Sequence, residues 1–200
     1  MKSFRLPEII ILLVFAVCIG ASQIAEGGFK EGMDAYLRKD YLTAFKELKP
    51  VAEQGGAEAQ YILGRMYRRG LGVVKDSKEA VKWYQKSADQ GLAIAQHNLG
   101  LMHVKGEGVS KSEKDAVKWW QKAAEQGYVS SQNNLGWMYA NGLGVRKDYI
   151  RGHMWANIAS VGGDANAITN RDRVERKMTR KQIQEATRLA REWMEKNQKR

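Results

Sequence analysis

An all-α solenoid built from antiparallel helix pairs is the fold class this sequence predicts, and three observations predict it. The chain repeats itself with a period of 36 residues. Glycines recur where a helix has to stop, and only two prolines interrupt 200 residues rich in alanine, glutamine and lysine. A single helix pair cannot bury its apolar faces alone, so a period of this length means that successive pairs stack on a shared core.

The first element is a leader. "MKSFRLPEIIILLVFAVCIGASQIAEGG" opens with Lys2 and Arg5, runs apolar from Ile9 to Ile19, and then turns small at Gly20, Ala21 and Ser22. Charged, apolar and small segments in that order make residues 1–22 a signal peptide or an N-terminal anchor. The apolar run is shorter than the ~20 residues that span a bilayer comfortably, which favours cleavage after one of the small residues and export to the periplasm or beyond. Cys18, the only cysteine, lies inside this segment. A cleaved chain would have no disulfide, no thiol nucleophile and no cysteine-based zinc site. Its roughly 175 residues would still bury about 70% of their unfolded surface.

Residues 28–56 form a shorter unit, "GMDAYLRKDYLTAFKELKPVAEQG" at its centre, which lacks the glycine turn of the later units. Pro50 stands where its second helix would continue, so that helix is expected to kink or be short.

Three full units fill residues 57–163. Leu63, Leu99 and Leu135 correspond, as do Gly64, Gly100 and Gly136, and Trp83, Trp119 and Trp155. Each unit reads as a first helix, from about Ala57 to Arg69, a Gly-x-Gly turn, and a second helix from about Lys78 to Asp89 that stops at a glycine able to adopt the left-handed conformation. A glycine in mid-helix costs about 1 kcal/mol against alanine, so keeping Gly64 and its equivalents predicts a close backbone crossing. The three tryptophans repeat together with the packing alanines and are expected in the core, so truncating Trp119 to alanine is expected to cost about 3–5 kcal/mol.

"AEAQYILGRMYRRGLGVVKDSKEAVKWYQKSADQG", "AIAQHNLGLMHVKGEGVSKSEKDAVKWWQKAAEQG" and "VSSQNNLGWMYANGLGVRKDYIRGHMWANIASVGG" resemble Sel1-like repeats, relatives of the tetratricopeptide repeat. The resemblance covers residues 57–163, and the unit before them is tetratricopeptide-like. The closing "MWANIASVGGDANAITNRDRVERKMTRKQIQEATRLAREW" is similar to the end of many exported bacterial members. The resemblance implies a protein-interaction scaffold and not an enzyme.

The last element, residues 164–200, is expected to cap the stack. Asp172 replaces the recurrent glycine, so the repeat is abandoned there. Thr179 and Gln182 have the spacing of a capping box, followed by Ile183, Ala186, Ala190 and Trp193 down one side of a helix. This end is basic: residues 151–200 carry twelve Lys/Arg against six Asp/Glu, within a chain of net charge +11. Acids are interspersed at helical spacing in "NRDRVERKMTRK", which suits a solubilising surface, and the segment lacks the aromatics that stack on nucleobases.

Along the first helix of the first full unit, positions that recur between units fall in one arc of about 160° and positions that change fall in an opposite arc of about 120°. The recurring arc, with Ala59, Leu63, Gly64, Met66 and Tyr67, should pack. The changing arc carries Tyr61, Arg65 and Arg68 in the first unit, Ile94, His97 and Leu101 in the second, and Asn133 and Trp137 in the third. By resemblance to the tetratricopeptide fold it should line a concave groove. Drift on a wet surface would seldom place Ile94, Leu101 and Trp137 there, whereas aromatic and arginine side chains are the usual anchors of an interface.

No cofactor, metal or catalytic motif is read from the chain. His97 and His103 are six residues apart on a helix, about 240° around, and cannot chelate one ion. His103 stands in register with Tyr67 and Tyr139, and His153 with Val81 and Val117, which suits packing. The Gly-x-Gly turns follow helices and not strands, so they are not phosphate loops. The sequence therefore points to a non-enzymatic envelope scaffold holding a protein or peptide. The alternatives are an enzyme acting on cell-wall material and an intracellular nucleic-acid binder.

Overall fold

The computed structural model of the protein describes residues 27–198. Among the described residues there are ten helices and no strand: α1 (27–37), α2 (Tyr41–Glu53), α3 (Ala57–Arg69), α4 (Ser77–Asp89), α5 (Ala93–Lys105), α6 (Glu113–Glu125), α7 (Val129–Asn141), α8 (Tyr149–Val161), α9 (Ala165–Glu175) and α10 (Arg180–Gln198). The leader and Cys18 lie outside them. The chain divides into two compact units, one ending at Asp76 and one beginning at Ser77.

In the unit ending at Asp76, α2 is not short, so of the two outcomes expected from Pro50, a kink or a short helix, the second does not occur. The helix runs for thirteen residues with Pro50 inside it. Pro50 sits in the last turn, where the N–H it lacks would have served one carbonyl only, and the helix still closes with the Gln54 N–H on the Pro50 carbonyl at 3.0 Å. The core here joins Ala35 of α1, Ala44 and Leu48 of α2, and Leu63 and Met66 of α3, all fully buried.

In the unit from Ser77 onward, the bounds of α4 to α8 coincide from one repeat to the next after a shift of 36 residues, each of these five helices being thirteen residues long. The pairing is antiparallel. A β-carbon added to Gly136 of α7 would meet the Ala156 nitrogen of α8 at 3.0 Å, while one added to Gly152 would meet the Ala140 nitrogen at 3.0 Å, so climbing α7 means descending α8. That is the close backbone crossing read from the mid-helix glycines. At Gly100 the space serves a different purpose, since an added β-carbon would meet the Trp120 indole at 2.5–2.9 Å. One glycine admits a neighbouring backbone; its counterpart admits a ring.

This corrects the expectation for Trp119. Trp83 and Trp155 are buried at 8% and 4% exposure, but Trp119 is only half-buried, with the Lys122 ammonium 4.4 Å from its ring. The buried ring of α6 is Trp120, at 4%, which lies on Gly100 and donates its indole N–H to the His97 carbonyl at 3.1 Å. In α4 the same inward position holds Tyr84, fully buried; in α8 it holds Ala156, and that small residue lets the α8 backbone reach Gly136. Trp155 is covered instead by Trp193 of α10, their rings 5.5 Å apart and edge to face.

A second device repeats with the period. Gln60, Gln96 and Gln132, each almost fully buried, donate their side-chain amides to the carbonyls of Ala52, Ala88 and Ala124 at 2.9, 3.1 and 3.2 Å. Each ties a first helix to the last turn of the helix before it. Replacing Gln132 by glutamate would set a carboxylate against the Ala124 carbonyl. We expect a loss of about 2 kcal/mol or more in urea melts at neutral pH, recovering as the carboxyl protonates in acid; a neutral effect would contradict the buried placement.

α9 and α10 both pack on α8. The capping box forms as read, with the Thr179 N–H on Gln182 Oε1 at 2.8 Å and the Gln182 N–H on Thr179 Oγ1 at 3.3 Å. Ala186 and Ala190 are fully buried, and Ala190 and Trp193 join the core around Trp120, Leu135 and Trp155.

Candidate functional site

The eight side chains expected to face a partner separate into three kinds once their surroundings are known. In the unit ending at Asp76, Tyr61 and Arg65 stand one turn apart on α3. The Arg65 guanidinium lies 5.8 Å from the Tyr61 ring and 5.5 Å from the Tyr36 ring of α1. Two aromatic faces hold a cation in this way without neutralising it. Arg68, on the last turn, is half-buried.

In the unit from Ser77 onward, two of the expected residues are used by the fold itself. Asn133 is only 8% exposed: its amide donates to Asp164 Oδ2 at 3.2 Å and its carbonyl oxygen accepts from Asn170 at 2.7 Å. Asp164 is the N-cap of α9, holding the Asn166 and Ala167 N–H groups. Asn133 is thus a tether between first helices and is withdrawn from the partner-facing set. His97, half-buried, does the same in the preceding repeat. Its Nδ1 shares a hydrogen bond of 2.9 Å with the Ser131 hydroxyl, and its ring lies 5.0 Å from that of Tyr128, the N-cap residue of α7. Both contacts join a residue to the cap 31 positions further on. Letters change along this row because each matches its own neighbour.

The remaining three form an apolar strip. Ile94 and Leu101 are half-buried on α5, Leu101 leaning on the core, and Trp137 of α7 is 37% exposed. Over Trp137, at 5.5 Å, sits the guanidinium of Arg173 from α9. Leu101, Trp137 and Arg173 occupy the same register position in three successive first helices.

A sequence profile described as the Sel1 repeat matches residues 57–92, 93–128 and 129–164, more than half of the chain. The chain belongs to the Sel1 repeat family. Among solved structures, a Sel1 repeat protein from Oxalobacter formigenes is 38% identical with a TM-score of 0.68, over 70% of this chain and 58% of that one. A protective antigen of uropathogenic Escherichia coli, c5321, which displays an SLR fold, is 34% identical with a TM-score of 0.51, over 78% of this chain and 41% of that one. Cysteine rich protein B of Helicobacter pylori is 20% identical with a TM-score of 0.48, over 62% of this chain and 94% of that one. The chain thus spans little more than half, or less, of the first two. Among curated proteins, none matches the chain.

The fold is therefore the all-α Sel1 solenoid, and Sel1 repeats commonly serve as protein–protein interaction scaffolds. Arg173 and Asn170 are the residues that sequence reading missed. Reading the repeat as abandoned at Asp172 hid them, although a shift of 36 residues from Trp137 lands on Arg173. Among the described residues no three His, Cys, Asp or Glu side chains gather as they would around a metal ion, and no helix is long and apolar enough to cross a membrane.

His97 and His153 make the Sel1 stack sensitive to acid. Burial lowers His97 from its ordinary value to about 4. His153, buried with Nε2 3.3 Å from Glu175, is also lowered, because burial outweighs the carboxylate's opposing pull. Both groups take up protons more readily unfolded than folded, so their contribution to stability is present above the unfolded value of about 6.5 and is lost as pH falls below it, toward about 4 in the case of His97. Urea midpoints should be flat near neutrality and decline below that value, and His97→Gln should lessen the decline. A midpoint that holds constant through this range would contradict the buried, neutral imidazole.

Proposed function

We propose that this Sel1 repeat chain is a non-catalytic adaptor of the cell envelope that holds a protein or peptide segment against the first helices of its repeats. One observation carries the reading: Trp137 stands 37% exposed on α7 under the guanidinium of Arg173, in register with Leu101. A large aromatic left partly in water beside an arginine is how protein surfaces anchor a partner. Tyr36, Tyr61 and Arg65 offer the same chemistry in the unit ending at Asp76. The envelope location rests on the leader-like order of residues 1–22.

The test is quantitative capture of the partner from the protein's own cell envelope by the full chain and by its Trp137→Ala and Arg65→Ala variants. Trp137→Ala should lower the partner recovered by about tenfold, the effect of an anchor worth ~1.4 kcal/mol or more, with the melting temperature held. Undiminished recovery by both variants would refute the first-helix face. A reporter fused after residue 30 should be exported; one that stays in the cytoplasm would remove the envelope location from the proposal.

A further inference from the structure

Away from the first-helix strip, the end of α7, the turn after it and the start of α8 enclose a cleft of about 630 Å³, bounded on its far side by Gln182 of α10. Its charge is one-sided. Arg146, Lys147 and Arg151 line it, and the Lys177 ammonium approaches from the connection between α9 and α10, 6.0 Å from the Tyr149 ring. The one acid in the lining, Asp148, is already used: it caps α8 through the Arg151 N–H at 3.0 Å, and its other oxygen lies 3.6 Å from Arg151 Nε. Arg146, Lys147 and Lys177 form no ion pair among the described residues. Arg146 and Lys147 thus line a concave surface with no ion-pair partner, Lys177 stands beside Tyr149 at its edge, and the one acid present is taken up by Arg151, an arrangement favourable for an anion that enters.

We propose that this cleft is a second docking site, taking an acidic segment of a partner protein. Peptide is favoured over nucleic acid by the state of the aromatic rings. Arg151 lies 5.6 Å from the Tyr139 ring, and Lys147 and Lys177 lie 5.9 and 6.0 Å from that of Tyr149, so cations already occupy the ring surroundings on which bases would stack. What the cleft offers is a set of cationic donors held in place by tyrosines, matched to carboxylates. A second hollow, of about 520 Å³, shares Ile150 and Gln182 with it and is lined by Lys181, Arg188 and Glu185, the last two paired with each other at 2.7 Å. That hollow suits an apolar side chain next to the carboxylates. The ligand expected is therefore a short peptide in which glutamate or aspartate alternates with leucine-like residues.

The experiment is fluorescence anisotropy of a labelled, acetylated octapeptide alternating glutamate and leucine, titrated with the full chain, against its glutamine-for-glutamate counterpart. The glutamate peptide should bind, weaken with added salt, and lose about tenfold in affinity in the double variant Lys147→Glu and Lys177→Glu. Lys114→Glu with Arg191→Glu changes net charge equally at exposed positions outside the cleft lining and should leave affinity within about twofold; melting curves check that both variants fold. Equal loss in both double variants would reduce the effect to overall charge and overturn the site. So would equal binding of the glutamine peptide, or tighter cleft-dependent binding of a single-stranded oligonucleotide or of anionic lipid vesicles than of the peptide. Because Trp137→Ala leaves the cleft untouched, failure here and failure of the first-helix face can be told apart.

Discussion

Truncating Trp120 to alanine is expected to destabilise the protein by about 3–5 kcal/mol, while the same change at Trp119 costs about 1 kcal/mol or less. Trp120 is 4% exposed, covers Gly100 and satisfies its indole N–H on the His97 carbonyl, so its removal opens a cavity against a glycine that has nothing to fill it. Trp119 keeps part of its surface in water and has the Lys122 ammonium 4.4 Å from its ring. Denaturant melts of the two variants side by side decide the matter. Equal losses would mean that the two adjacent rings share the core, against the arrangement described.

Gly108→Ala should be nearly as damaging, at about 2–5 kcal/mol, from two separate causes. Its φ of +72° is left-handed, which costs an L-residue roughly 1–2 kcal/mol. The added methyl would also run into the backbone of Ser77 and Lys78 at the start of α4, and overpacking against a backbone costs about 1–3 kcal/mol more. Gly127→Ala separates the two causes, since its φ is +87° but nothing stands within 4 Å of an added β-carbon. Gly127→Ala should therefore show the backbone cost alone. If both variants melt together, the close approach of the turn to the earlier helix is not a stabilising contact. The same approach recurs at Gly144, against Glu113 and Lys114, which explains why the second glycine of each turn is kept.

The architecture was readable in the sequence because period, glycine spacing and capping residues act locally and are printed in every unit. The orientation of the tryptophans was not readable. Identity at positions 83, 119 and 155 suggested the core, whereas the position beside it, Tyr84, Trp120 and Ala156, points inward in each case and varies because its volume is traded against the helix opposite. Sameness, then, does not mark the most buried ring. The converse error arose on the first helices. His97 and Asn133 change between units, which looked like the mark of a partner, but each answers to a neighbour 31 residues away, Tyr128 or Asp164. Trp137 passes the stricter condition: it varies, it stays partly in water, and its contact across repeats, Arg173, also remains exposed.

The recognition role assigned to the first helices is tested most directly by hydroxyl-radical footprinting of the full chain with and without its captured partner, read at two tryptophans. Trp137, on a first helix, and Trp119, on a second helix, both present some of their ring to solvent and serve as probe and control in one sample. Oxidation of Trp137 should fall severalfold when the partner is bound, while that of Trp119 stays unchanged. Protection of Trp119 with Trp137 oxidised as freely as before would place the partner on the other face and contradict the account.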